Sequence, residues 1–352
     1  MKKHNFSAGP SILPPEVFEK ASAAVKDFNN LGLSILEISH RRKDFAEVVD
    51  KAQNLVLDIA GLQGKGYYVL FLQGGASTQF LATPYNYLPI GKTAGYVDTG
   101  TWSSKAIKEA KLLGDVNVLA SSKDNGYKNI PKGYTIPEDL AYLHITTNNT
   151  IYGTEYKEFP KTNVPLLADT SSDMFSHIVD YSVFDLIYAG AQKNIGASGT
   201  TLVIVKEDAL GKTGRQIPSM LDYQLHVSKD SLYNTPSVFS IYVSMLNLEW
   251  IKNQGGLPAM EKRNFAKADL LYNELDTNPN FTAYADKDSR SIMNVTFNLA
   301  DESKKERFDK MCLEAGIDAI KGHRSVGGYR ASIYNALPLE SVQALVEVMR
   351  AL

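Results

Sequence analysis

Lys193 stands in the run Tyr188-Ala-Gly-Ala-Gln-Lys-Asn-Ile-Gly-Ala-Ser-Gly199, where small residues on both sides leave room for a flat ligand against the backbone. A lysine partly desolvated in such a turn has a lowered pKa and can condense with an aldehyde to give a Schiff base. Most loop lysines are solvated and do no chemistry, so the position needs company. Asp169 supplies it, closing the apolar run Val164-Pro-Leu-Leu-Ala-Asp169 upstream of the lysine. Both residues follow strand-like stretches. Taken alone, Asp169 reads equally well as an N-cap for the turn Thr170-Ser171-Ser172.

A lysine for an aldehyde and an acid that keeps a ring nitrogen protonated are what pyridoxal phosphate needs, so that its ring can accept electrons from a substrate carbanion. Three further groups answer its other needs. Gly74-Gly75-Ala76-Ser77 places backbone N–H groups at a helix N-terminus, an anion site suited to the phosphate. Trp102, one of two tryptophans, follows a strand and has a flat face to stack on a pyridine ring. Thr150 has a hydroxyl to bond the ring's own. Each has a plainer reading: glycine pairs end many strands, tryptophans usually pack cores, and loop threonines are unremarkable.

These groups need strands to carry them. Pro14-Pro15 followed by Glu16, Phe18, Ala21 and Val25 predicts a helix opened by proline, and a second helix is expected over 44–60, ended by Gly61. Strands are expected at 67–72, 94–97, 116–120, 141–146, 165–168, 184–189 and 200–205, with helices at 78–88 and 102–113. Strands alternating with such helices make βαβ units and a mainly parallel sheet flanked by helices. There the ligand lies beyond the carboxyl ends of the strands, where Ser77, Trp102, Thr150, Asp169 and Lys193 all fall. After an apolar helix over 237–251, the run Asn253-Gln254-Gly255-Gly256 breaks the pattern. A helix over 258–275, a strand near 292–299, a helix over 303–314, a strand at 329–333 and a helix over 339–352 follow. The expected fold class is α/β: a large domain over 16–255 and a smaller C-terminal α/β domain over 256–352, joined by the N-terminal segment 1–15.

Composition is that of an ordinary globular chain: 352 residues, 44% hydrophobic and 22% charged, with formal net charge −2. Without a basic excess, nucleic acid is not the expected partner. No run approaches the roughly 18 consecutive apolar residues of a membrane span. No apolar stretch follows the first lysines, so no secretory leader is expected and the cytoplasm is the expected compartment. The single cysteine, Cys312, excludes an internal disulfide and argues against a cysteine-based metal site, and no metal is expected. Gly61-Leu-Gln-Gly-Lys-Gly lacks the spacing and the following Ser/Thr of a nucleotide phosphate loop.

Several motifs occur from Asn5 almost to the C-terminus: FSAGP, SHR at Ser39-His40-Arg41, YVDTGTW, AGAQKNIG, YNTP at Tyr233 to Pro236, and KGHRSVGGYRASIYNA. Together they resemble the phosphoserine aminotransferases, a family of class-V, fold-type I pyridoxal-phosphate enzymes. The resemblance implies that Lys193 holds the cofactor aldehyde and shuttles protons, that Asp169 pairs the ring nitrogen, that Trp102 stacks on the ring and that Thr150 bonds near its hydroxyl. It implies that Ala76, Ser77 and Gln192 hold the phosphate, joined by Asn234 and Thr235 from the other subunit of a homodimer. Arg330 would clamp the α-carboxylate, with His40, Arg41, His323 and Arg324 around a phosphate or the glutamate side chain. The implied reaction is ping-pong transfer of an amino group between L-glutamate and 3-phosphohydroxypyruvate in serine biosynthesis. The 4-phosphohydroxythreonine pair of pyridoxine biosynthesis would be a second substrate.

Charge makes independent sense of the arginines, because an acceptor with a carboxylate and a near-dianionic phosphate demands them in clusters. Such clusters are otherwise solvated faces. Two departures from the family stand out. Some members carry a phosphate-binding arginine where this chain has Ser77, and Arg42 stands where several have a small residue, so Arg42 is expected to supply part of that charge. Ala8 stands where some have serine. The rival readings are another class-V enzyme, such as an alanine–glyoxylate-type aminotransferase or a cysteine desulfurase, and a non-catalytic anion-binding chain. A desulfurase needs a cysteine on a mobile loop, whereas Cys312 sits in a helical pattern as a packing residue. The intact lysine, acid and tryptophan oppose the non-catalytic alternative.

Overall fold

The computed structural model describes residues 3–352, and its frame is a seven-stranded sheet. In chain order the strands are β1 (Tyr67–Leu72), β2 (Thr93–Asp98), β3 (Asp115–Ser121), β4 (Tyr142–Thr146), β5 (Leu166–Asp169), β6 (Leu186–Gly190) and β7 (Thr201–Lys206). Their spatial order is β1-β7-β6-β5-β4-β2-β3. Neighbours are parallel except for β7, which runs antiparallel to both β1 and β6. The mainly parallel sheet expected from the alternation is what forms.

The helices are α1 (Pro15–Lys26), α2 (Lys43–Ala60), α3 (Gly75–Tyr87), α4 (Thr101–Ala110), α5 (Tyr223–Val227), α6 (Val238–Asn253), α7 (Gly256–Thr277), α8 (Lys305–Glu314) and α9 (Leu339–Arg350). Because strand side chains alternate, each strand feeds two cores. Val69 and Phe71 of β1 pack with Val49 and Val56 of α2 and Ile241 of α6. Leu70 and Leu72 pack on the opposite face with Phe80 of α3 and Ala106 of α4. A parallel sheet needs this double cover.

A third core lies under α7, α8 and α9, against an antiparallel sheet of β8 (Phe281–Ala283), β9 (Asn294–Leu299) and β10 (Tyr329–Ser332). The sequence pattern misses β8, which is three residues long with only Phe281 fully buried. The N-terminal segment reaches this unit, with His4–Asn5 pairing in parallel with Ile317–Asp318. No helix among the described residues is long and apolar enough to cross a membrane.

One boundary shift matters for chemistry. Helix α3 begins at Gly75, not at residue 78, because Gly74 takes the left-handed conformation (φ 93°) and lets the chain turn directly into the helix. The first-turn N–H groups of Gly75, Ala76 and Ser77 therefore lack carbonyl partners within the helix. A second glycine is fixed by close approach. The loop after Lys193 passes α6 so tightly that a Cβ on Gly196 would lie 2.5 Å from Ser244 Oγ and 2.8 Å from Ser244 Cα. Gly196→Ala is expected to cost about 1–3 kcal/mol through overpacking, measured as a lower urea midpoint at unchanged slope; a midpoint equal to that of the native chain contradicts this account of the loop.

Candidate active site

Strands β5 and β6 are parallel neighbours, with Asp169 in register with Tyr188. Asp169 is the last residue of β5, and Lys193 follows just beyond the end of β6. The two ends therefore open onto the same cleft, of about 340 Å³, a volume suited to a small ligand. Its walls bring together Ala76 and Ser77 at the start of α3, Trp102 on α4, and Thr150 from the loop after β4. Asp169, Gln192 and Lys193 form its floor, and His323 and Arg330 enter from the C-terminal unit.

The electrostatics follow from the enclosure. Lys193 is partly open along the cleft, but the walls desolvate its amine and pull its pKa down to about 8. The negative charges of Asp169 and Asp173 resist that shift and Arg330 adds to it. Asp169 is buried, which pushes its carboxyl above the ordinary range; hydrogen bonding from Ser171 and the charge of Lys193 act against the rise. Asp169 Oδ1 accepts the Ser171 N–H at 3.0 Å, so the turn-capping role and the place in the cleft coexist.

Trp102 is held by Thr150, which is itself tied to the C-terminal unit. Its Nε1 donates to Thr150 Oγ1 at 3.0 Å, and Arg330 Nη1 donates to the Thr150 carbonyl at 3.3 Å. Helix α4 itself is anchored by the buried Asp98 carboxylate, which accepts Ser103 Oγ at 3.0 Å, Ser104 Oγ at 2.8 Å, Ser121 Oγ at 3.0 Å and the Tyr127 hydroxyl at 3.0 Å. Sequence reasoning missed Lys105, whose ammonium lies 4.7 Å from the centre of the Trp102 ring. Its spacing of three residues from Trp102 on one helix was the available signal. Burial lowers the pKa of His323, and the charges of Arg330, Arg324 and Lys105 lower it further, so positive charge converges on this end of the cleft.

Other expected residues lie elsewhere in their own chain. Arg324 is exposed near His323 and does not line the cleft. His40, Arg41 and Arg42 stand just before α2, where Arg42 Nε donates to Asp44 Oδ2 at 3.0 Å. Asn234 donates to Gln73 Oε1 at 2.8 Å, and Thr235 is exposed, also outside the cleft. A larger hollow of about 500 Å³ between the 130–136 and 155–161 segments lacks this chemistry, its three lysines being offset by Glu155, Glu158 and Asp288. Cys312 is buried in the C-terminal core, and burial pushes its thiol up to about 12, so it offers no nucleophile.

The family model of class-V aminotransferases matches residues 3–345. A phosphoserine aminotransferase of Flavobacterium johnsoniae is 63% identical over 352 residues, covering 100% of this chain and 99% of that one. One of Bacteroides thetaiotaomicron is 55% identical, covering 99% and 98%. The chain belongs to the phosphoserine aminotransferase family of class-V aminotransferases. Among solved structures of that family, the enzyme from Bacillus circulans subsp. alkalophilus superposes with a TM-score of 0.96 at 47% identity, over 99% of this chain and 98% of that one. The pyridoxal-phosphate-bound enzyme from Trichomonas vaginalis gives 0.93 at 36%, over 99% and 100%. The fold is thus that of a fold-type I pyridoxal-phosphate transferase, and the chain is a pyridoxal-phosphate-dependent aminotransferase. The cleft fits that cofactor: besides the free helix N-terminus, Thr146 Oγ1 and Asn148 Oδ1 are buried in its lining residues without a hydrogen-bond partner.

An amine attacks an aldehyde only in its neutral form, and Lys193 is the lysine that lines the cleft. Loading of the cofactor-free chain, followed by visible absorbance, is therefore expected to speed up as pH rises through about 8 and then level off. The Asp169 charge raises the lysine pKa, so Asp169→Asn is expected to move that midpoint downward. A midpoint near 10.4, the ordinary lysine value, contradicts the desolvated amine.

Proposed function

We propose that the chain transfers the amino group of L-glutamate to 3-phosphohydroxypyruvate, giving O-phospho-L-serine and 2-oxoglutarate. The observation that carries this reading is the meeting of Lys193, Asp169, the first turn of α3 and Arg330 in one cleft, in a chain whose relatives are phosphoserine aminotransferases. When bound, pyridoxal phosphate supplies an electron sink and holds the amino group between the two halves of a ping-pong cycle. Asp169 keeps negative charge at the ring nitrogen, and Trp102, oriented by Thr150, stacks on the ring. The N–H groups of Ala76 and Ser77 bind the phosphate together with Gln192. Lys193, once released, would as a neutral amine take the proton from the substrate α-carbon and pass it to the former aldehyde carbon of the cofactor within the same half-reaction, and would run the same transfer in reverse in the second half. Arg330 holds the α-carboxylate.

The expected residues outside the cleft support a homodimer, because a second copy can deliver what one chain does not. Asn234 and Thr235 would then join the cofactor phosphate across the interface. His40 and Arg41, with His323 and Arg324, would surround the substrate phosphate or the glutamate carboxylate. Arg42 would release Asp44 to add the charge that Ser77 does not carry. The 4-phosphohydroxythreonine pair is a second substrate, since one extra carbon changes binding modestly. This reading puts the enzyme in serine and pyridoxine biosynthesis in the cytoplasm, with residues 16–255 as the cofactor domain and 256–352 as the smaller domain that brings Arg330.

Rates measured with glutamate and 3-phosphohydroxypyruvate varied together are expected to give parallel double-reciprocal lines, with hydroxypyruvate a far poorer acceptor. Arg330→Ala should lower kcat/KM by about 10–100-fold for both substrates, and Arg42→Ala should raise KM for the phosphorylated acceptor alone. Equal use of hydroxypyruvate would overturn the substrate assignment, and intersecting lines the ping-pong order.

A further inference from the structure

Lys267 lies on α7 with no exposed surface, far from any role in the reaction just described. No acid offsets its charge; burial and the neighbouring charge of Arg263 pull its ammonium well below the ordinary lysine range. Its Nζ donates instead to two main-chain carbonyls, of Ile333 at 2.7 Å and of Tyr334 at 2.6 Å. These carbonyls follow β10, the strand that carries Arg330. Buried carbonyls must find donors, and a long side chain with three N–H donors can satisfy two of them at once.

What the clamp holds is connected to the cleft by two short routes. The Tyr334 hydroxyl donates to the carbonyl of Ala8, a residue of the cleft wall, at 2.9 Å. The Asn335 N–H donates to Asn194 Oδ1 at 3.0 Å, on the residue that follows Lys193. Asn264, one turn before Lys267 on α7, donates to Asn335 Oδ1 and to the Ser176 carbonyl, both at 2.7 Å. Asn335 Nδ2 donates to the Phe175 carbonyl at 2.9 Å, and Asn247 Nδ2 on α6 to the Asn194 carbonyl at 2.7 Å. Lys267 and these four asparagines are all buried, so the network is shielded from competing water.

We propose that Lys267 is a positioning residue for the active site: by fixing the Ile333 and Tyr334 carbonyls it holds, through Asn335 and Tyr334, the two main-chain segments at Asn194 and Ala8 between which Lys193 works. The inference rests on the reading of Lys193 as the cofactor-binding lysine. It extends that reading to a side chain that touches neither cofactor nor substrate.

The test follows the visible absorbance of the cofactor-loaded, full-length protein across pH, alongside kcat and KM for glutamate. Lys267→Met is expected to move the absorbance midpoint upward, because a loosened Lys193 is better hydrated. It should also lower kcat by about 10–100-fold, as misplacement of a reacting group does, with a smaller change in KM. Lys267→Gln, which can reach one carbonyl, should fall between. Tyr334→Phe, which loses only the hydroxyl on Ala8 and should fold if Lys267→Met does not, is expected to move the midpoint the same way by less. Variants that melt earlier but keep the native midpoint and kcat overturn the positioning role. If Lys193→Ala left the native spectrum unaltered, the reading of Lys193 itself would fail instead.

Discussion

An amine and a carboxylate kept out of bulk water at the ends of two neighbouring strands constrain everything around them. Each opposes the desolvation of the other, the Asp169 charge raising the Lys193 pKa and the Lys193 charge lowering that of Asp169. Removing one partner would leave a costly charge or a neutralised group. Holding them together requires β5 and β6 to run parallel, and parallel strands need crossovers and cover on both faces. The layers of helix on each side of the sheet follow from that requirement.

Around the pair, the cleft is assembled from segments far apart in sequence, fixed to one another by buried polar contacts. Thr150 is the junction: its hydroxyl orients Trp102 and its carbonyl receives Arg330 from the C-terminal unit. Asp98 ties α4 to the ends of β2 and β3 through four hydroxyl donors. Such networks hold geometry because breaking one bond strands a buried polar group. The cationic end of the cleft is the complement, positive charges drawn together from both units where an anionic substrate can offset them.

The sheet was legible because strand alternation and apolar runs are local signals: residues 67–72 were expected as a strand and form one. The cleft residues from β-strand ends were legible for the same reason, since position after a strand fixes position in space. Helix α3 was placed late because its two opening glycines look like loop until the left-handed turn at Gly74 is seen. Strand β8 was missed because a segment of three residues carries no alternation and gains its identity only from β9. Lys267 carried no signal at all, since its partners are carbonyls distant in sequence. The segments at His40 and Asn234 were legible as motifs but not as geometry, because a motif match carries no position and neither segment lines the cleft of its own chain.

In the proposed reaction one lysine, Lys193 beside Asp169, takes the cofactor. Borohydride reduction of the pyridoxal-phosphate-loaded protein, followed by peptide mapping by mass spectrometry, tests it most directly. One stoichiometric label is expected on the peptide containing Lys193 and none in Lys193→Ala. A label of equal extent on another lysine, or one that persists in Lys193→Ala, would contradict it.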